Sequence, residues 1–251
     1  MKIKITTKQI AITAIFAAIY AVFRIIPLGP MIGLSASFSL SDSLAPLFGI
    51  ILGPYLGGLS VIIGTFSAMA LGKAPIFLGL DFLPGLINAV ALGFLIRKKW
   101  LPVITLNVIL LGIFLVSPYT LLTVQIGSVP IPFVWMHIIA LIFLISPISI
   151  KSIKNIRKSN IAYLALSIAV LAFIGTMMQH LTGNLLFQFI FGEPIGGWNI
   201  TNFHGYWVPI FFAYPIERIA LVAIAVLIGT PIVKILKKSV LPFEDPTTDK
   251  K

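Results

Sequence analysis

From Ser41 to Gly72 the chain reads SDSLAPLFGIILGPYLGGLSVIIGTFSAMALG, with one charge, Asp42, at its start. A stretch this long, apolar and uncharged belongs inside a helical membrane bundle. Gly53-Pro54 interrupts it near the centre. Proline lacks a backbone donor and turns the preceding residue away from helix. The stretch therefore predicts a short helix over about Ser43–Leu52, a tight reversal, and a second helix over about Tyr55–Leu71. Ser60, Gly64, Ala68 and Gly72 recur at every fourth position of the second helix. That spacing stacks small residues in one column, where another backbone can approach closely.

The rest of the chain has the same character. It has 251 residues, 59% hydrophobic and 10% charged, against roughly 25% charged in a soluble domain. The mean hydropathy is +1.08. The expected fold is all-α, a polytopic membrane bundle in one domain over 1–238, with a disordered tail over 239–251. Cysteine is absent, which excludes disulfides and thiolate metal sites. The net charge of +11 could suggest nucleic acid, but the bases stand between apolar runs and mark one face of a membrane instead.

About eight membrane segments are expected. The first covers about Gln9–Ile26 after a basic head carrying Lys2, Lys4 and Lys8. A signal peptide is the rival reading of this region; the run is long for one, and Arg24 interrupts its far end. The two hairpin helices follow, then about Ile76–Ile96, Leu101–Val124, Pro132–Ile150, Ile161–Leu181 (with a possible helical extension to Phe191) and Tyr206–Val233. With the head inside, alternation puts Arg97–Lys99, Lys151–Lys158 and Lys234–Lys238 on that same side. This satisfies the positive-inside rule and predicts cytoplasmic N and C termini in a multi-pass plasma-membrane protein. Trp135, Trp198 and Trp207 then fall near the outer interface and Trp100 near the inner one, as aromatic belts do.

Catalytic motifs are lacking. Gly72-Lys73 imitates a phosphate loop, yet Ala74 follows where Ser or Thr is needed and Ser67 replaces the first glycine. There is no HExxH or GxSxG, and His137, His180 and His204 are scattered. The sequence predicts a non-enzyme without cofactor or metal, binding a small molecule amid membrane lipid; the alternatives are a stand-alone secondary transporter or channel, and a membrane enzyme with Glu217, Asp81 and His180 as its catalytic groups.

Polar residues in apolar spans are costly and mark candidate sites. Glu217 and Arg218 lie about eleven residues into the last span, roughly 16 Å deep. As neighbours they point about 100° apart and do not share a face. Glu217 reads either as a ligand contact or as half of a structural ion pair with another helix. It shares a face with Tyr214 and Tyr206. Asp81 and Asn88 share a face with Pro84 and Gly85 between them, for binding or for packing. His180, Asn184 and Gln188 form an i, i+4, i+8 stripe, either hydrogen-bonding a solute or facing water on a helix extension. Asp42 reads as a helix cap and Arg24 as a side chain snorkelling to the outer interface. His137 reads as interfacial packing. His204 stands in an outer loop beside Asn202 and Trp207, where a solvated residue is the plainer reading. Asp42, Asp81, His180, Asn184, Trp198, Asn202, His204 and Trp207 converge on the outer third, with Glu217 beneath near mid-depth and Tyr214 nearby. A ring-lined pocket open to the outside suits small-ligand capture. Its slight excess of acids and its rings suggest a cationic or aromatic ligand.

Three stretches carry a family resemblance: ITTKQIAITAIFAAIYAVFRIIP, with Ala14-x-x-x-Ala18 and Ala17-x-x-x-Ala21; LAPLFGIILGPYLGGLSVIIG; and VPIFFAYPIERIALVAIAVLIG. Together they resemble the S components of energy-coupling factor transporters. The resemblance implies capture of a vitamin-like micronutrient from outside and delivery to a transmembrane T component with two cytoplasmic ATPases. It also implies that Ala14 and Ala18, or Ala17 and Ala21, meet the T component. Members usually have six helices, so the segments at 101–124 and 132–150 read as additions.

Overall fold

The chain turns back on itself at Gly53, where Gly93 of the later helix 83–96 packs directly against the Gly53-Pro54 backbone. The computed structural model describes residues 6–156 and 160–236. Lys2, Lys4, Arg157, Lys158, Lys237, Lys238 and the tail over 239–251 lie outside the described residues.

Helix α1 spans Thr7–Ile25 and starts on a capping box in which Thr6 and Gln9 satisfy each other's backbone donors. An antiparallel ribbon follows, β1 Pro27–Pro30 with β2 Ser37–Ser39, then a 3-10 turn over Leu40–Ser43. Helix α2, Ala45–Ala70, breaks at Gly53, whose φ of 79° and ψ of −176° suit glycine alone. A Cβ on Gly57 would come within 2.6 Å of the Phe48 carbonyl oxygen, nine residues earlier. The two arms therefore run back to back, as the Gly53-Pro54 pair predicts. The expected column of small residues holds at Ser60, Gly64 and the buried Ala68, whereas Gly72 lies past the end of the helix in an exposed turn with φ of 101° and packs against nothing. Ser60 donates to the Thr13 carbonyl at 3.2 Å, and Gly64 lies against Ala17 and Tyr20 of α1.

Helix α3, Leu83–Ile96, lies along both arms. Its Gly93 meets the Gly53-Pro54 backbone so closely that a Cβ there would not fit. Helix α4 spans Trp100–Val116, shorter than the expected Leu101–Val124, and the ribbon β3 Thr123–Ile126 with β4 Val129–Pro132 follows it. Helices α5, Trp135–Ile145, and α6, Pro147–Ile156, meet at a 67° bend. Pro147 stands at the bend, and the expected straight span over 132–150 is replaced by this pair. Helix α7, Ile161–Phe191, takes the longer course, to Phe191, and α8 covers Ile200–Leu236.

This is an all-α bundle with two short ribbons. By length and composition, four of the described helices, α1, α2, α7 and α8, reach what a membrane crossing needs, and the bent α5–α6 pair makes a fifth, although the Gly53 reversal divides α2 into two shorter arms. Of the other expected segments, α3 and α4 are shorter apolar helices of 14 and 17 residues.

The core has two parts. One surrounds the hairpin bend, with Leu47, Ile50, Leu92, Leu95, Leu164 and Val233, close to the helix ends that carry Arg97–Lys99, Lys151, Lys154 and Lys234. The other is aromatic, with Phe114, Phe133, Phe187, Phe203, Trp207 and Tyr214. Trp207 is fully buried there, its Nε1 donating to the Tyr119 carbonyl at 2.6 Å, so it is no belt residue. The alanines of α1 divide. Ala17 and Ala21 are buried against α2, whereas Ala14 and Ala18 are exposed beside Ile15 and Val22.

Candidate functional site

A cavity lies at the end of the bundle away from the hairpin bend. It is enclosed by the last turn of α1, the β1–β2 connection, the turn before α3, and the facing sides of α7 and α8. It contains about 920 Å³ of space between atoms, its mouth included.

Its walls are fixed by polar pairs. Arg24, in the last turn of α1, is buried rather than snorkelling. Its Nη2 donates to the Asp81 carbonyl at 3.2 Å and lies 3.7 Å from Asp81 Oδ1. Asp81 in turn accepts from the backbone N–H of Ile76 at 2.9 Å and of Phe77 at 3.0 Å. One carboxylate thus ties the turn before α3 to the end of α1.

A second set forms a relay across the floor. Asp42 closes the 3-10 turn, accepting from the Ser39 N–H at 3.2 Å. Its other oxygen accepts from Gln179 Nε2 at 2.9 Å, and Gln179 Oε1 accepts from Asn88 Nδ2 at 2.7 Å. The relay links the connection after α1 to α7 and α3. Asp42 is a cap, as expected, and a cross-link as well.

A third set is aromatic. The His180 and Tyr214 rings stack at 4.9 Å, His137 stacks with His180 at 5.2 Å, and the His137 and Tyr214 rings are 5.9 Å apart, so the three rings form one cluster. His180 Nδ1 and His137 Nε2 are 3.2 Å apart, and the Tyr214 hydroxyl donates to the Phe133 carbonyl at 3.0 Å. His137 is therefore a buried partner of His180 and not an interfacial residue.

The fourth pair lies on α8. Arg218 Nη2 is 3.5 Å from Glu217 Oε2. The two residues do not share a helix face, yet the flexible guanidinium spans the roughly 100° between them. The Arg218 guanidinium carbon lies 5.1 Å from the centre of the Phe38 ring.

Five of the ten expected ligand residues line the cavity: Asp81, His180, Asn184, Tyr214 and Glu217. Asn88 lies one layer deeper, behind Gln179. Trp198 and Trp207 belong to the aromatic cluster around Phe187 and do not line the cavity. Asn202 is exposed at the start of α8, where its Oδ1 accepts from the Asn199 N–H and its own N–H donates to Asn199 Oδ1, each at 3.0 Å. His204 is half-buried and away from the cavity lining. The stripe on α7 is buried throughout, which overturns the solvated-extension reading. Gln188 donates to Thr120 at 2.7 Å, and Asn184 faces the cavity with Nδ2 unpartnered.

Sequence reading missed Arg218, Gln179 and Phe38 as lining residues. Gln179 had a signal, a polar residue within an apolar span immediately before His180. Phe38 had none.

The acid, base and imidazole that a catalytic reading would need share the cavity but pair elsewhere: Asp81 with Arg24, Glu217 with Arg218, and His180 with His137. Among the described residues no cluster of three or more His, Asp or Glu side chains could hold a metal ion. No protein-family model matches the chain, and neither a curated protein nor a solved structure shows significant similarity to it.

Proposed function

We propose that this chain is a membrane-embedded solute-capture subunit, of the kind that the S components of energy-coupling factor transporters represent. The observation that carries the reading is the cavity itself. It combines stacked rings, buried hydrogen-bonding groups and both charge signs at the end of the bundle opposite the basic helix termini. Such a lining suits one small, ring-bearing molecule better than ions or bulk solvent. In this reading the basic termini face the cytoplasm, by the positive-inside rule, and the cavity opens outward. No nucleotide-binding loop is present in the sequence, so the energy for release comes from partner subunits. The exposed Ala14 and Ala18, and not the buried Ala17 and Ala21, offer the flat face for the T component.

The test has two arms. The purified chain in nanodiscs binds a vitamin-like solute, and uptake into liposomes requires the T component and ATPases. Solute movement by this chain alone down an ion gradient would overturn the proposal. Protease cleavage of the 192–205 connection from the cytoplasmic side would overturn the orientation.

A further inference from the structure

The cavity contains buried donors that the protein leaves unused. Arg218 is 2% exposed, yet its Nε and Nη2 make no hydrogen bond. These two nitrogens form one edge of the guanidinium, the planar fork that matches the two oxygens of a carboxylate. Asn184, also buried, lines the same cavity, and its Nδ2 has no acceptor either. Buried donors are almost always partnered, so the unpartnered nitrogens of Arg218 and Asn184, which share this cavity with Arg24 Nε, point to a missing acceptor.

The protein's own acids supply it only in part, through Glu217 at Nη2. Asp42 gives its oxygens to Gln179 and to the Ser39 backbone. Asp81 gives its oxygens to the Ile76 and Phe77 backbones. Glu217 comes only to 3.5 Å of Nη2, and its side chain is 24% exposed. A flat lining is present alongside. Phe38 lies under the guanidinium, and Tyr214 stacks on His180.

We infer that, within the capture reading above, Arg218 and Asn184 form the subsite for the carboxylate of a planar, ring-bearing organic acid. The carboxylate takes the free edge of Arg218 and the Asn184 amide, displacing Glu217 as the counter-ion of the guanidinium. The ring lies against Phe38 and the Tyr214–His180 stack. This replaces the cationic ligand that the sequence suggested, because the unused groups in the cavity are donors.

The test uses the full chain in nanodiscs. Thermal shift and calorimetry are run on aromatic and heteroaromatic carboxylates, nicotinate and indole-3-acetate among them, each beside its carboxamide and its amine. An acid is expected to stabilise the protein and to bind at least about tenfold more tightly than its amide, since a charge-assisted bidentate contact is lost. Arg218→Gln erases that preference. Glu217→Gln, which removes the competing carboxylate and leaves Arg218 in place, tightens the acid. Equal binding of acid and amide, preference for an amine, or loss of acid binding in Glu217→Gln would overturn the subsite while leaving capture intact. If no compound of the panel binds protein that is folded by circular dichroism, the capture reading falls and the subsite falls with it.

Discussion

The side-chain oxygen of Asn88 occupies the space that a methyl group on Gly175 would take. Helices α3 and α7 therefore meet through an amide seated on a bare backbone, and that amide is the inner end of the Asp42–Gln179–Asn88 relay. Gly175→Ala forces Asn88 out of place. The expected cost is roughly 1–3 kcal/mol, as for other overpacked cores. A lowered unfolding midpoint in detergent checks it, and Gly183→Ala is the control, since open space surrounds that position.

Gly53 is the second backbone-determined position. Alanine there must adopt a backbone region that is essentially restricted to glycine, and its methyl would also meet the Arg97 guanidinium. A loss of about 1–3 kcal/mol is expected from the backbone strain alone. Thermal unfolding measures it, and increased proteolysis near the bend would accompany it.

Arg24 and Asp81 are unequal partners. Asp81→Ala removes the acceptor for two backbone N–H groups and strands a buried guanidinium, so a cost of about 3–5 kcal/mol is expected. Arg24→Met leaves the Asp81 carboxylate still holding Ile76 and Phe77, and costs less. A double-mutant cycle on the unfolding free energy separates the two contributions, and equal single-mutant costs would refute the asymmetry.

Tyr214→Phe keeps the ring on His180 and deletes only the hydroxyl bonded to the Phe133 carbonyl. The expected loss is about 0.5–1.5 kcal/mol of stability, plus the penalty of any stranded carbonyl. Ring-ligand binding is expected to survive. A large loss of affinity with unchanged stability would mean that the hydroxyl itself touches the ligand.

What could be read from the sequence follows the range of each physical constraint. Gly53-Pro54 was legible because both residues act on their own backbone. Ser60 and Gly64 were legible because helical spacing alone aligns them with a neighbour. His180 and Asn184 were legible as two buried polar groups one turn apart. Arg24 was not, since its partner Asp81 is 57 residues away and only the tertiary fold brings the two together. Phe38 was hidden in a Gly/Pro/Ser connection whose composition suggests surface, yet the β1–β2 ribbon folds it into the wall of the cavity. Hydropathy also treated α3 and α4 like the longer helices, because apolar composition does not fix helix length. The 67° bend at Pro147 had a local signal in the X-Pro rule, and the expectation of a straight span passed over it.

Helix α7 has 31 residues. At about 1.5 Å per residue it measures roughly 46 Å, well beyond a hydrocarbon layer of about 30 Å. Leaning alone would absorb the excess only at about 50°, steeper than such helices adopt. One end of α7 must therefore stand among the lipid headgroups. If that end carries Asn184 and Gln188, an arriving solute exchanges its hydration shell for protein groups before it reaches the depth of the acyl chains.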